Sequence, residues 1–433
     1  MEGMKRVAHL AAHSGPAWQC DFSSRGIVAS CGADGLIQLW GAPNGSSSWS
    51  CLGTAGQDAH SRAIRTVAWT PDGAFLAAGS FDSTATVWQV KQRPQRQLQQ
   101  EESSKDNLVE TEEHDRRQDA PKSSRVHMGL LQTLVGHEHE VKGVAWNCTG
   151  SFLATCSRDK SIWIYKRSGL EDWGEHATDG PRKQHSTDDD GEFVVASVLT
   201  GHSQDVKAVR WHPRRDWLAS ASYDDTIAIW GVGGDDWIML KTLRGHASTV
   251  WSVAFDSLGS RLLSASADRT VRLWTCLPAD VQPSRRLPTL AQWYVAPFLR
   301  PLEAAAAAVA SSAETVEETA KTASDEETDL LALQQPEAWR CSAVLQGQHR
   351  GVVYAVSVHP EKNIFATACG DGCIRIYALS EAGASLLHCE EKAHQSDVNS
   401  IAWSKDGGDE LLLASVGDDG FLSIWLLDLP IED

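Results

Sequence analysis

The chain has no run of about 18 apolar residues, so no membrane-spanning helix is expected. Its opening, MEGMKRVAHLAAHSG, lacks the apolar core of a secretory leader, and none is expected. Basic charge is in short supply. Against 39 Lys and Arg stand 57 Asp and Glu, for a net charge of −18. Phosphate backbones and anionic bilayers are bound by Lys and Arg, so neither nucleic acid nor membrane is an expected partner. Phosphate-binding loops of P-loop or dinucleotide spacing are absent, as is a Gly-x-Ser-x-Gly elbow. The ten cysteines are scattered, with no Cys-x-x-Cys among them. That usage fits a reduced, cytoplasmic compartment, and no resident metal or cofactor is expected. Cys369 and Cys373 flank a turn but have no second pair to match them.

What the chain does have is a repeated frame. Gly201–Trp230 reads GHSQDVKAVRWHPRRDWLASASYDDTIAIW, with Asp224 22 residues after His202 and Trp230 six after Asp224. The frame recurs with His13, His60, His137, His246, His349 and His394, each followed by Asp34, Asp82, Asp159, Asp268, Asp371 or Asp419. Six residues beyond each Asp comes Trp40, Trp88, Tyr165, Trp274, Tyr377 or Trp425. The His-to-Asp spacing is 21 in the first unit, 25 in the last and 22 between. Such self-similarity marks repeats. Four residues before the Asp stands Ser30, Thr155, Ser220, Ser264, Thr367 or Ser415; only the second unit, with Ala78, lacks the hydroxyl. A His, a hydroxyl, an Asp and an indole can form one buried hydrogen-bond chain, and His202, Ser220, Asp224 and Trp230 are the type case. These residues are therefore expected to be structural, not catalytic or metal-binding. The same holds for His137 in the metal-like run His137-Glu138-His139-Glu140.

The expected fold is all-β: a seven-bladed propeller of four-stranded antiparallel blades, one domain over residues 1–433. Met4–Leu10 reads as a strand with no unit of its own, while the last unit is one strand short. The N-terminal strand is thus expected to complete the last blade and close the ring. Consecutive anchor Asp residues are 48, 77, 65, 44, 103 and 48 apart, and the long intervals place insertions at about 91–127, 167–191 and 276–338. All three join third to fourth strands. They are expected to leave the face opposite the Asp turns, to be largely disordered by composition, and to be functional at most as docking arms.

Two positions per unit should point over the rim of the Asp-turn face. Just before the Asp stand Ala33, Phe81, Arg158, Tyr223, Ala267, Gly370 and Asp418; five after the His stand Trp18, Arg65, Lys142, Lys207, Trp251, Tyr354 and Asn399. Units two to four therefore offer Arg65, Lys142, Lys207 and Arg158 with Phe81 and Tyr223. That is a basic and aromatic cluster on an acidic chain, tempered by Glu140 and Asp205. Arg and aromatic residues make interface anchors. An acidic, aromatic-ended peptide is the expected ligand. No enzyme is expected.

The seven His–Asp–aromatic frames resemble the WD-repeat β-propeller family. The stretches LATCSRDKSIWIY (153–165), DVKAVRWHP (205–213), LASASYDDTI (218–227) and GHASTVWSVAFD (245–256) are similar to the WD-repeat subunit of the cytosolic iron–sulfur cluster assembly machinery. That resemblance implies a non-enzymatic scaffold. It would join a small adaptor of the MMS-nineteen-interacting type and a HEAT-repeat subunit, and deliver clusters to cytosolic and nuclear apoproteins. It also implies that Arg158, in Ser-Arg-Asp-Lys, is a functional surface residue. Animal members carry Leu-Tyr-Arg, a cochaperone contact, where this chain has Ile229-Trp230-Gly231, so that contact is not carried over. The residues alone also admit another propeller adaptor, such as a ubiquitin-ligase substrate receptor or a chromatin-complex subunit.

Overall fold

In the computed structural model, the described residues form 28 strands, β1 to β28 in chain order, arranged as seven four-stranded antiparallel sheets. The structure describes residues 3–42, 48–92, 126–168, 191–234, 236–276, 339–380, 383–405 and 410–428. Among these there is no helix. The short alternating segments between Gly-, Asp- and Ser-rich turns leave no stretch with a helical period. The innermost strands are β2 (Ala17–Phe22), β6 (Ile64–Trp69), β10 (Val141–Trp146), β14 (Val206–Trp211), β18 (Val250–Phe255), β22 (Val353–Val358) and β26 (Val398–Trp403). They surround a central channel, and each touches the innermost strands of both neighbouring blades.

The core lies between blades. Ile27, Ala29, Ile37 and Leu39 of the first blade pack on Ile64, Val67, Trp69, Leu76 and Trp88 of the second. Indoles closing the innermost strands stitch neighbours together: Trp146 Nε1 donates to the Ala68 carbonyl at 3.1 Å, Trp211 to Ala145 at 2.9 Å and Trp403 to Ser357 at 3.0 Å. At these three positions an indole fills a wide gap and still places its N–H on a partner, whereas Trp69 Nε1, at the same place in the second blade, is buried without one.

The ring closes as the sequence implied. β1 (Met4–Ala11) pairs with β28 (Phe421–Leu427), from Met4 opposite Leu427 to Ala11 opposite Phe421. The last sheet runs β1-β28-β27-β26, with β27 spanning Leu411–Gly417. Val7, Ala8 and Leu10 join a cluster in which Phe22 and Trp40 of the first blade meet Val416, Leu422 and Ile424 of the last. One strand thus serves both the last sheet and the junction where the ring meets itself.

The expected insertions lie outside the described residues except at their ends, and there the boundaries move inward. β8 (Ala85–Gln92) and β9 (Val126–Leu134) carry regular pairing out to Lys91 opposite His127 and Gln92 opposite Val126. Arg167 pairs with Phe193, and Cys276 with Trp339. Polar residues at these sheet ends still satisfy a ladder, which composition alone does not reveal.

Candidate functional site: the channel mouth on the Asp-turn face

The scaffold of this face is the repeated hydrogen-bond chain. In the fourth blade His202 Nδ1 meets Asp224 at 2.9 Å, His202 Nε2 meets the Ser220 hydroxyl at 2.7 Å, and Trp230 Nε1 donates to the same oxygen at 2.8 Å. An ionised Asp only accepts, so Nδ1 carries the proton, Nε2 accepts from the hydroxyl, and the hydroxyl accepts from the indole. The first, fifth and seventh blades repeat this chain. In the third, His137 is held by Asp159 at 2.7 Å and Thr155 at 2.7 Å.

Two blades depart from the pattern. The second blade does not lack its hydroxyl. Thr86, paired across the sheet from Ala78, supplies it to His60 Nε2 and to Trp88 Nε1, both at 2.9 Å. In the sixth the chain is broken. Asp371 is taken by Arg375, with N–H···O distances of 3.1 and 2.7 Å. His349 keeps its contact to Thr367 at 3.0 Å, but its Nδ1 is buried without a partner.

That break has a consequence for acid stability. Burial, and then the charge of Arg375, hold the His349 imidazole down at about 4. Burial, and then Arg215, hold His212 on the opposite face at about 4 as well. Unfolded, both titrate near 6.5. Below that pH the unfolded chain binds protons the fold refuses, so stability falls from pH 6.5 towards 4. The Asp residues act lower. Burial raises the Asp419 carboxyl, but its bonds from His394, Gln395 and Phe421 outweigh this and hold it at about 2, so its contribution is lost only below about 4. Chemical denaturation at pH 7 and pH 4.5 should show a loss that is smaller by roughly 2 kcal/mol in His349→Gln. Equal losses in the two proteins would contradict this account.

The mouth itself is built by bulges. In every blade the pairing of the first two strands slips at one residue, and that residue is Trp18, Arg65, Lys142, Lys207, Trp251, Tyr354 or Asn399. A bulge re-aims a side chain, which brings these residues to the mouth of the channel. The residue before each Asp is fixed by its own backbone. The N–H groups of Phe81, Arg158 and Tyr223 donate to the carbonyls of Ala63, Glu140 and Asp205, at 3.0, 3.0 and 2.8 Å.

Of the expected residues, Arg65, Lys142, Lys207, Phe81 and Tyr223 are joined by contacts at this mouth, whereas the Arg158 side chain contacts Glu140. Lys142 Nζ sits 4.0 Å from the centre of the Phe81 ring, and Phe81 lies 5.0 Å from Trp18. Arg65 stacks over Trp18 at 5.9 Å and donates to the Trp18 carbonyl at 3.3 Å. Lys207 lies between Tyr223 at 5.0 Å and Trp251 at 5.2 Å and pairs with Asp205 at 3.1 Å. Trp251 meets Tyr354 edge-on at 5.4 Å, and the Tyr354 hydroxyl donates to Asp397 at 3.0 Å. Five aromatic rings and three cations thus line one opening.

Its cations crowd one another despite the carboxylates beside them. Burial lowers the Lys142 ammonium, Glu140 opposes that, and Lys207 and Arg65 push it further down, to about 8. Burial likewise lowers Arg65. A lysine crowded by two other cations is relieved by an incoming anion. The opposite end of the channel differs: a cavity of about 400 Å³ there includes Asp21, already paired with Lys405 at 2.8 Å.

One residue escaped the sequence. Arg62, two after His60, donates to the Phe81 carbonyl at 2.7 Å and approaches Glu140 at 4.0 Å, while Arg158 reaches Glu140 at 3.3 Å. The two arginines come from different blades, and no periodicity pairs them. Among the described residues no group of three or more His, Cys, Asp or Glu could hold a metal ion. In the His137–Glu140 run, His137 is bound within its blade.

Comparison with known proteins agrees with this architecture. The profile of the WD domain, G-beta repeat family matches residues 4–41, 49–89, 128–166, 193–231, 237–275, 339–378 and 386–425. A Neurospora crassa protein named "Probable cytosolic iron-sulfur protein assembly protein 1" is 30% identical over 84% of this chain and 84% of its own. A Botryotinia fuckeliana protein of the same name is 27% identical over 86% of each chain. One from Kluyveromyces lactis is 35% identical over 38% of this chain and 41% of its own.

Proposed function

The chain belongs to the WD domain, G-beta repeat family and, within it, to the family of cytosolic iron–sulfur protein assembly protein 1; on that premise we propose that it is a scaffold subunit of the cytosolic iron–sulfur assembly machinery. It helps deliver clusters to cytosolic and nuclear apoproteins through protein–protein contacts. The cluster is cargo of the assembly, not a group resident in this chain. Its partners are a small adaptor of the MMS-nineteen-interacting type, a HEAT-repeat subunit, and the client apoproteins. It acts in the cytoplasm and, with its nuclear clients, in the nucleus.

One observation carries the binding site in this reading: Arg65, Lys142 and Lys207 converge with five aromatic rings on one channel mouth, with Arg158 exposed beside it. The chemistry suits a peptide that presents a carboxylate next to an aromatic group. The carboxylate relieves the crowded cations, and the ring joins the aromatic wall. Phe81 and Tyr223 hold the position of Arg158 in the blades on either side of it and belong to that wall. Affinity purification of the tagged chain from cells tests the assignment. Recovery of a HEAT-repeat protein together with the small adaptor supports it. Recovery of a cullin adaptor or histone-modifying subunits in their place overturns it.

A further inference from the structure

We infer that Glu140 is an internal competitor for the acidic ligand of the channel mouth, occupying the place between Arg62 and Arg158 that a ligand carboxylate takes. The inference rests on the binding site proposed above and adds a specificity-determining residue to it. The geometry is unusual for a surface pair. Arg62 and Arg158 are each 57% exposed at the side chain, yet the Glu140 side chain between them is only 15% exposed. The two guanidinium groups thus lie open to solvent while the carboxylate they share is largely covered. Lys142, two residues on and paired with the Phe81 ring, adds a third cation to the same carboxylate.

Charge supports this reading. Burial raises the Glu140 carboxyl, but its own backbone N–H, Lys142 and Arg158 outweigh that and hold it below the ordinary value, so it stays ionised at neutral pH. Glu140 is the carboxylate that Arg62 and Arg158 share, while Asp205 pairs with Lys207 on the far side of Lys142. A ligand carboxylate that swings Glu140 aside gains both arginines; a neutral ligand does not. Glu140 therefore sets a threshold, admitting ligands whose own carboxylate binds better than the internal one. This is selection by displacement, with the resident anion as the penalty against weak or uncharged competitors. The backbone is not at stake, because the N–H of Arg158 donates to the Glu140 carbonyl, which any substitution retains.

The experiment uses the full chain and a fluorescein-labelled peptide, Gly-Ser-Gly-Ala-Glu-Phe with a free carboxyl end, alongside the same peptide with Gln for Glu and an amidated end, which presents no carboxylate of its own. For Glu140→Gln, binding of the Glu peptide should tighten by about threefold to tenfold in low salt. The Gln peptide should change by less, so discrimination between the two grows. Glu140→Ala should behave likewise, and both variants should stay folded with melting temperatures only slightly below the parent. Unchanged or weaker binding of the Glu peptide to both variants, while Arg158→Glu still loses it, overturns the role of Glu140 and leaves the site standing. Normal binding to Arg158→Glu overturns this inference, and it overturns the site itself if replacing Arg65, Lys142 and Lys207 also leaves binding intact.

Discussion

Deleting Met1–Leu10 should destabilise the whole ring, not fray one edge. The deletion removes the β1 partner of β28 along nearly its full length and strips Val7, Ala8 and Leu10 from the junction between first and last blades. Lost with them are the ladder hydrogen bonds and the apolar cover of a closing seam, on the order of 5 kcal/mol or more. That is comparable with the net stability of an ordinary domain. The exposed β28 edge then invites association between chains. The truncated chain should unfold at much lower denaturant concentration and aggregate readily. A synthetic peptide spanning Met4–Ala11, added in trans, should restore much of the loss. A truncated chain that unfolds with the parent would show that closure by β1 is dispensable.

The second large effect concerns Asp159, next in sequence to Arg158. Its carboxylate accepts from His137 at 2.7 Å, from the Ser161 hydroxyl at 2.6 Å, and from the N–H groups of Ser161 and Glu138 at 2.8 and 3.1 Å. Burial raises this carboxyl, but these bonds hold it far below the usual range. Asp159→Ala leaves four donors facing a gap, at a cost of about 3 kcal/mol. Urea denaturation should show a clear fall in midpoint. A midpoint within error of the parent would mean that the hydrogen-bond chain holds the blade only weakly.

The seven frames made the fold legible because each unit repeats one solution to one problem, an aromatic side chain and a histidine bridged by a hydroxyl. The chain also announced its closure, through a strand too many at one end and one too few at the other. The exceptions could not be read. Thr86 replaces the hydroxyl missing at Ala78 from across the sheet, eight residues later in sequence, where no repeat position predicts it. Arg375 captures Asp371 because two residues four apart on a turn and strand reach each other directly, leaving His349 Nδ1 unpaired. For the site, spacing from the His located all seven bulged residues, but not that bulges are what aim them. Arg62 was missed because its role depends on Glu140 of the next blade. A contact between blades carries no period in the sequence.

We propose that this face binds the protein's partners or clients through Arg158 and the cations beside it. The most direct test is capture of partners and clients by Arg158→Glu set against the parent chain, with melting temperature measured on the same samples. Arg158 is exposed and makes its side-chain contact to Glu140 alone among the described residues, so reversing its charge should change stability by no more than roughly 0.5 kcal/mol. Binding should weaken by about 2 kcal/mol or more, some thirtyfold, because a ligand carboxylate would then meet a like charge. Loss of capture at an unchanged melting temperature is the predicted result. Normal capture by Arg158→Glu, and again when Arg65, Lys142 and Lys207 are replaced, would show that the partners bind elsewhere on the ring.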